Sequence, residues 1–249
     1  MEKRLNWDDF KDQFHESWHI KMKPAIESEW MFNIYQRLKT ESDKEIIVPE
    51  CDNVFAVFKE TRFEDIKSIW YLMDPYPRRY KSKVPQATGI AMDCRNSPDG
   101  KLQPSLVTFY DGISSDLDKR VTYSPSLQYL SEQGVMMLNT DLTCKLNKTT
   151  SHEKLWEPFQ KYFLEEIMGR KTGVIYVLAG KSSVRMEKYI FPPGNYIFKL
   201  EHPVAASHKG TIWDHQNIFT KTNEILQQNN DEYIFWNKFD LDSIKENDK

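Results

Sequence analysis

Four short apolar runs constrain this chain more than any other feature. They are Ser68-Ile-Trp-Tyr-Leu-Met73, Gly134-Val-Met-Met-Leu138, Gly173-Val-Ile-Tyr-Val-Leu-Ala179 and Tyr196-Ile-Phe-Lys-Leu200. Each is near-continuously apolar, rich in β-branched or aromatic residues, and shorter than a typical helix. That is the pattern of strands covered on both faces of a parallel sheet. Helical patterns lie between and around them. Trp30, Ile34 and Leu38 recur four apart, and residues 1–60 read as helical. Ser151 reads as an N-cap, followed by the stripe Trp156, Phe159, Phe163, Ile167 ending at Gly169. A further helix is expected from about Trp213 to Gln228. Strands alternating with helices predict an α/β layered fold with right-handed crossovers. Cys94 to Ser126, punctuated by Pro98, Gly100, Pro104, Gly112 and Pro125, reads as an irregular surface excursion with one short helix after Pro104. Residues 243–249 read as a frayed tail. No repeat, low-complexity segment or linker divides the chain, so a single domain over 1–249 is expected.

Composition removes several classes. With 39% hydrophobic and 13% aromatic residues, the 249-residue chain can fill a core. No apolar run approaches the roughly 20 residues that span a bilayer, so no membrane partner is expected. The N-terminus lacks the apolar stretch of a signal peptide, which places the protein in the cytoplasm, or the nucleus of a eukaryote. The cysteines Cys51, Cys94 and Cys144 are odd in number and far apart, so neither a disulfide framework nor a zinc site is expected. The net charge of −3 argues, taken alone, against a nucleic-acid partner.

The residues just beyond each run argue the other way. In open parallel sheets, ligands bind outside the carboxyl ends of the strands. After the runs come Asp74-Pro-Tyr-Pro77, Asn139-Thr-Asp141, Gly180-Lys-Ser-Ser183 and His202-Pro203. The topology thus gathers a carboxylate, an aromatic ring, an amide and an imidazole at one edge. Asp74 can activate water or stabilise a cation, though a turn Asp is the ordinary reading of such a residue. Tyr76 can wall a pocket, and Asn139 can read a ring N–H and a neighbouring carbonyl together. His202 can donate a hydrogen bond to a developing oxyanion. Ser105, Ser182, Ser183 and the segment Ser207-His-Lys-Gly210, with Lys209, offer hydroxyls and a cation for phosphate oxygens. Arg78, Arg79, Lys81, Lys83, Lys145, Lys148 and Lys181 cluster near the same ends. Gly180-Lys-Ser-Ser183 lacks the earlier glycine of a P-loop, which removes an NTPase.

The motifs, in this order and spacing, resemble the uracil-DNA glycosylase superfamily, nearest its family 1 and poxviral branches. Leu5-Asn-Trp-Asp-Asp9 resembles the family's opening, and Val54-Phe-Ala-Val-Phe58 its V-F-N-A-F helix. Tyr71-Leu-Met-Asp-Pro-Tyr-Pro77 is similar to the water-activating loop, Gly89-Ile-Ala-Met92 to G-L-A-F, and Gln103-Pro-Ser-Leu106 to the proline-rich loop. Gln133 to Thr143 resembles Q-G-V-L-L-L-N-x-x-L-T, and Ser151-His-Glu-Lys-Leu-Trp156 resembles S-H-x-x-x-G-W. Leu178-Ala-Gly180 resembles L-W-G, and His202-Pro203 the H-P of the intercalation loop. The resemblance covers nearly the whole chain. It implies a three-layer α/β/α sandwich around a short four-stranded parallel sheet. It implies a monofunctional DNA glycosylase, working as a monomer without metal or cofactor, that flips a pyrimidine nucleotide and hydrolyses its N-glycosidic bond. Asp74 would stabilise the sugar cation and orient water. His202, neutral, would bond the O2 oxyanion with backbone N–H groups at Met73 and Asp74. Asn139 would read uracil, and Tyr76 would exclude a C5 methyl. Met73 stands at the family glutamine, Met92 at the stacking phenylalanine and Asp141 at an apolar position. Only Ala205 or Ala206 stands at the leucine wedge. Those departures leave two alternatives: excision of a modified pyrimidine such as hydroxymethylcytosine from phage DNA, or a non-catalytic DNA-binding scaffold.

Overall fold

The computed structural model describes residues 5–247. In chain order the helices are α1 (His19–Ile26), α2 (Glu29–Ser42), α3 (Ala56–Glu60), α4 (Pro104–Asp116), α5 (Gln128–Ser131), α6 (Glu157–Tyr162), α7 (Lys181–Val184), α8 (Pro203–Lys209), α9 (Ile218–Gln228) and α10 (Lys238–Asn247). The strands are β1 (Ile47–Val48), β2 (Ser68–Leu72), β3 (Val135–Asn139), β4 (Cys144–Lys145), β5 (Ile175–Ala179) and β6 (Tyr196–Leu200). The four apolar runs supply β2, β3, β5 and β6, which pair in parallel in the order β3-β2-β5-β6. The short strands β1 and β4 form a separate antiparallel pair. No helix among the described residues is long and apolar enough to cross a membrane.

Every residue of β2, β3 and β5 is buried, as their unbroken apolar runs require, whereas β6 is an edge strand with Lys199 exposed. Alternate residues of β2 face the two helical layers. Trp70 packs on one side against Phe109 of α4, Phe219 of α9 and Trp236, with ring centroids 5.4, 5.6 and 6.0 Å away. Tyr71 faces the other side and donates its hydroxyl to Gln160 of α6 at 2.9 Å. There Phe58 of α3 meets Phe159 and Phe163 at 5.6 and 5.4 Å. The architecture is therefore α/β/α.

Several boundaries differ from expectation. The stripe from Trp156 to Ile167 is not one α-helix. Helix α6 stops at Tyr162, a π turn carries Phe163–Ile167, and a 3-10 turn ends the segment. Ser151 caps no helix, and its hydroxyl accepts from the Lys145 N–H instead. The helix expected from Trp213 starts at Ile218, because Gln216 and Asn217 both adopt left-handed backbone. Trp213 instead packs over α4 at Gly112, where a Cβ would come within 2.7 Å of the indole. The segment 94–126 holds a full helix, α4, rather than a short one. Residues 1–60 mix helices with 3-10 turns and β1. The expected frayed tail is helical through Asn247, and residues 248–249 lie outside the described residues.

Candidate active site

Strand order reverses between β2 and β5, and the carboxyl ends of these two strands open into a cavity of about 470 Å³. That crevice is where an open α/β sheet binds ligands. The register aligns Leu72 with Asn139 and Ala179 with Leu200, so the residues beyond each strand meet there. Met73, Asp74, Tyr76, Met92, Ser105, Asn139, Ser182 and His202 all line it.

Asp74 opens the turn after β2. One of its carboxylate oxygens accepts the Thr150 N–H at 2.8 Å. Burial raises the Asp74 pKa above the ordinary carboxylate value, and the Thr150 hydrogen bond only partly offsets this. The carboxyl is therefore oriented by one bond and little solvated, which suits it to a nearby positive charge.

His202 is the N-cap of α8, with Pro203 at the first helical position. Its Nδ1 accepts the Val204 N–H at 3.1 Å. An accepting Nδ1 carries no proton, so in the neutral ring the proton sits on Nε2. Burial, with a smaller contribution from the His208 charge, drives the imidazole pKa down to about 4. At neutral pH the ring is thus an uncharged donor through Nε2. Gly180, at the end of β5 with φ +100°, lets this happen, because a Cβ there would lie 3.1 Å from the His202 Cβ.

Asn139 ends β3 and is 7% exposed. Its main-chain carbonyl accepts from Gln160 Nε2 at 3.0 Å, and the same amide bonds the Thr140 carbonyl at 3.1 Å. Tyr71 holds Gln160 in turn, so the strand end is fixed from the layer below. No protein group among the described residues hydrogen-bonds the Asn139 carboxamide, which leaves it for a ligand.

Tyr76 is anchored by its hydroxyl, 2.6 Å from Ser105 Oγ and 3.2 Å from the Met92 carbonyl. Met92 is buried, with left-handed backbone at φ +62°. Burial raises the Tyr76 pKa well above the ordinary phenol value, so the hydroxyl keeps its proton.

Other expected residues stand elsewhere. Ser183 is fully buried and donates its hydroxyl to the Gly180 carbonyl at 2.7 Å, which turns it away from any phosphate. Ala206 is fully buried and cannot act as a wedge. Ala205, Ser207 and Lys209 do not line the cavity, and Lys209 is ion-paired with Glu201. Asp141 lies outside the cavity wall, 2.8 Å from Arg185, so it does not reshape the pocket. Burial pushes the Asp141 carboxyl up to about 6 against the pull of Arg185, with a smaller upward contribution from Asp74.

The sequence reading placed Lys181 in the basic cluster and His208 only within the segment 207–210, both of which line the wall, and it missed Thr149 and Val204 there and Thr150 beside Asp74. The helical spacing of 204 and 208, four apart after Pro203, could have found that pair. Thr150 acts through its backbone, which no residue pattern announces. The basic rim also divides. Lys145 pairs with Glu41 and Glu45, and Lys148 with Glu45. Among the described residues no carboxylate lies within 4.0 Å of Arg78, Arg79, Lys81, Lys83 or Lys181. No group of three or more His, Cys, Asp or Glu side chains among the described residues could hold a metal.

No family model matches the chain. Curated proteins do. The uracil-DNA glycosylase of Aliarcobacter butzleri is 34% identical over 220 residues, covering 86% of this chain and 99% of that one. That of Alkaliphilus oremlandii is 27% identical over 224 residues, covering 90% and 96%. Among solved structures, mimivirus uracil-DNA glycosylase superposes with a TM-score of 0.82 at 21% identity, over 94% of this chain and 90% of that one. The last likeness speaks for the fold. The first, at that identity and nearly end to end, shows that the chain belongs to the uracil-DNA glycosylase family.

Proposed function

We propose that this chain is a monofunctional uracil-DNA glycosylase, acting as one domain and one monomer in the cytoplasm. A base inside a duplex is out of reach, so the nucleotide must turn out into the cavity. The C1′–N1 bond then breaks with its electron pair going to the base, water oxygen bonds C1′, and a proton ends on the released uracil. Positive charge grows on the sugar and negative charge on the base. Asp74 meets the first, and its raised pKa marks a carboxylate whose desolvation is offset once a cation forms beside it. His202 Nε2–H meets the second. The observation that carries the reading is this neutral donor, fixed by the Val204 N–H on its other nitrogen. A preorganised donor costs no reorganisation when charge develops. The unpartnered Asn139 carboxamide reads the N3–H and O4 edge of uracil, and the backbone at Met73 and Asp74 assists the oxyanion.

Tyr76 stands as a fixed wall because its hydroxyl is tied on two sides. That favours a base bare at C5 over one with a bulky C5 substituent. Met92 lines the cavity beside Tyr76, and Ser182 offers a hydroxyl there to a flanking phosphate, whereas the Tyr76 hydroxyl that donates to Met92 leaves the Ser105 proton for Tyr76 rather than for a phosphate.

The test is release of labelled uracil from an oligonucleotide in EDTA. The wild-type protein releases it. Asp74→Asn loses on the order of 10²- to 10⁴-fold in rate. His202→Leu loses on the order of 10²- to 10³-fold, the usual effect of deleting one oxyanion donor. Undiminished release by Asp74→Asn would sink the assignment. In the wild type, activity falls as pH drops through the Asp74 pKa, so the acid limb lies above the ordinary carboxylate range.

A further inference from the structure

From Arg78 to Gln86 the chain leaves the cavity edge and returns to it as a small hairpin. Pro77 on one side and Ala87 on the other line the cavity. The Gln86 N–H donates to the Arg78 carbonyl at 2.9 Å, Arg79 bridges Pro85, and the Tyr80 N–H donates to the Val84 carbonyl at 2.9 Å. The tip is Lys81-Ser-Lys83, closed by the Lys83 N–H on the Tyr80 carbonyl at 2.9 Å. The base is pinned to the body, since the Asn147 N–H donates to the Pro77 carbonyl and Asn96 Nδ2 to the Pro85 carbonyl.

Two features of this hairpin bear on what it can bind. The first is charge. Arg78, Arg79, Lys81 and Lys83 lie in a stretch with no acidic residue between Asp74 and Asp93. None has a carboxylate within 4.0 Å among the described residues, whereas Lys145, Lys148 and Lys209 are paired. Arg78, Lys81 and Lys83 are exposed, and the buried Nε of the half-buried Arg79 has no hydrogen-bond partner. The second is the tip. Lys83 adopts left-handed backbone at φ +66°, the position in a three-residue hairpin loop where glycine is favoured. A lysine there costs local stability, and such broken local rules gather at functional sites.

Resting on the reading of the chain as a DNA glycosylase, we propose that the hairpin 78–86 is a cationic arm that grips the DNA backbone beside the flipped nucleotide. Its occupant is the sugar-phosphate chain of the same strand or duplex whose base enters the cavity. The recognition is ionic and independent of base sequence, because lysine and arginine reach phosphates without reading base edges. The arm compensates for a chain whose overall charge of −3 would otherwise repel DNA.

Counterion release gives the measurable signature. Each phosphate contact on B-DNA contributes about 0.9 to the slope of log affinity against log salt. The experiment measures that slope, with KM and kcat, on uracil-containing duplex for four proteins. They are the wild type, the quadruple variant R78A/R79A/K81A/K83A, the single variant Lys83→Gly, and a control, K11A/K23A/K161A/K245A, that removes four ion-paired surface lysines. The quadruple variant is expected to flatten the slope by about 2 to 4 units and to raise KM with kcat held within about twofold. Lys83→Gly is expected to flatten it by about 1 unit while relieving the left-handed strain, so the loss cannot come from an unfolded hairpin. The control is expected to match the wild type. Slopes for the quadruple variant equal to the wild type, or a control that flattens as much, would overturn the arm. A wild-type protein that neither binds nor cleaves uracil-containing DNA would overturn the glycosylase reading itself.

Discussion

Tyr76 shows how much one side chain can carry. Its ring walls the cavity, while its hydroxyl ties Ser105 Oγ to the Met92 carbonyl. The phenol has one proton. If it goes to Met92, the serine must donate its own, and Ser105 then offers only lone pairs to the cavity. Met92 needs the tie, because left-handed backbone costs a non-glycine residue roughly 1–2 kcal/mol. Tyr76→Phe keeps the wall and removes the tie. The expected result is a loss of about 1–2 kcal/mol, read as a melting temperature lower by roughly 2–8 °C. A variant that melts with the wild type would show that the hydroxyl bonds are incidental. The wall was legible in the sequence, since an aromatic two residues after a strand-end carboxylate faces whatever that carboxylate faces. The tie was not, because its partners lie 16 and 29 residues away. The His202 tautomer sits between these cases. A histidine before Pro203 occupies an N-cap, and an N-cap side chain accepts from the second or third helical N–H, here Val204.

Elements place these residues, and the end of β5 does so with one glycine. Gly180 has φ +100° and ψ 166°, a region open almost only to glycine. Its N–H donates to the Leu200 carbonyl at 2.8 Å, its carbonyl accepts from Ser183, and its missing Cβ leaves room for His202. Gly180→Ala must either twist this turn or push the imidazole aside. The expected outcome is a cost of about 1–3 kcal/mol in stability. A fall in kcat of roughly tenfold or more should accompany it, from misplacing the oxyanion donor. Wild-type kcat in a folded Gly180→Ala protein would detach the glycine from the site. Strands β2, β3 and β5 were readable almost to the residue, because burial on both faces leaves an unbroken apolar run, while the edge strand β6 is only partly covered and still reads as apolar. Helix limits were less so. The spacing of Trp156, Phe159, Phe163 and Ile167 suits an α-helix, yet a π turn presents the same residues inward. The start of α9 was misread because Trp213 is apolar and lies at helical spacing before it, while its true partner is the Gly112 notch in α4. Ser183 was misread because a serine beside a strand end can face outward or back-bond its own turn, and pattern does not distinguish them.

At the scale of the molecule, net charge was the least informative number, since it averages paired lysines with the unpaired hairpin. Buried titratable groups carry more, because they link the site to global stability. His202 has an unfolded pKa near 6.5 and a folded pKa of about 4. The unfolded chain therefore binds a proton that the folded one refuses. Stability from this group is complete above about pH 6.5, is lost as pH falls toward 4, and is constant below that. The full difference is on the order of 3 kcal/mol. Asp141, raised to about 6, works in the opposite sense over much of the same range, so the wild-type curve alone hides both. Comparison with His202→Gln isolates the histidine. Glutamine can still accept the Val204 N–H and keeps the cap, but it does not titrate. Whatever the substitution costs at pH 7 is then a fixed offset. Denaturant unfolding at pH 7, 6, 5 and 4 should show the variant gaining on the wild type at each step down, by about 3 kcal/mol in all. A difference that stays flat with pH would mean that His202 ionises in the folded protein as freely as in the unfolded chain, and the neutral donor at the centre of the site would have to be abandoned.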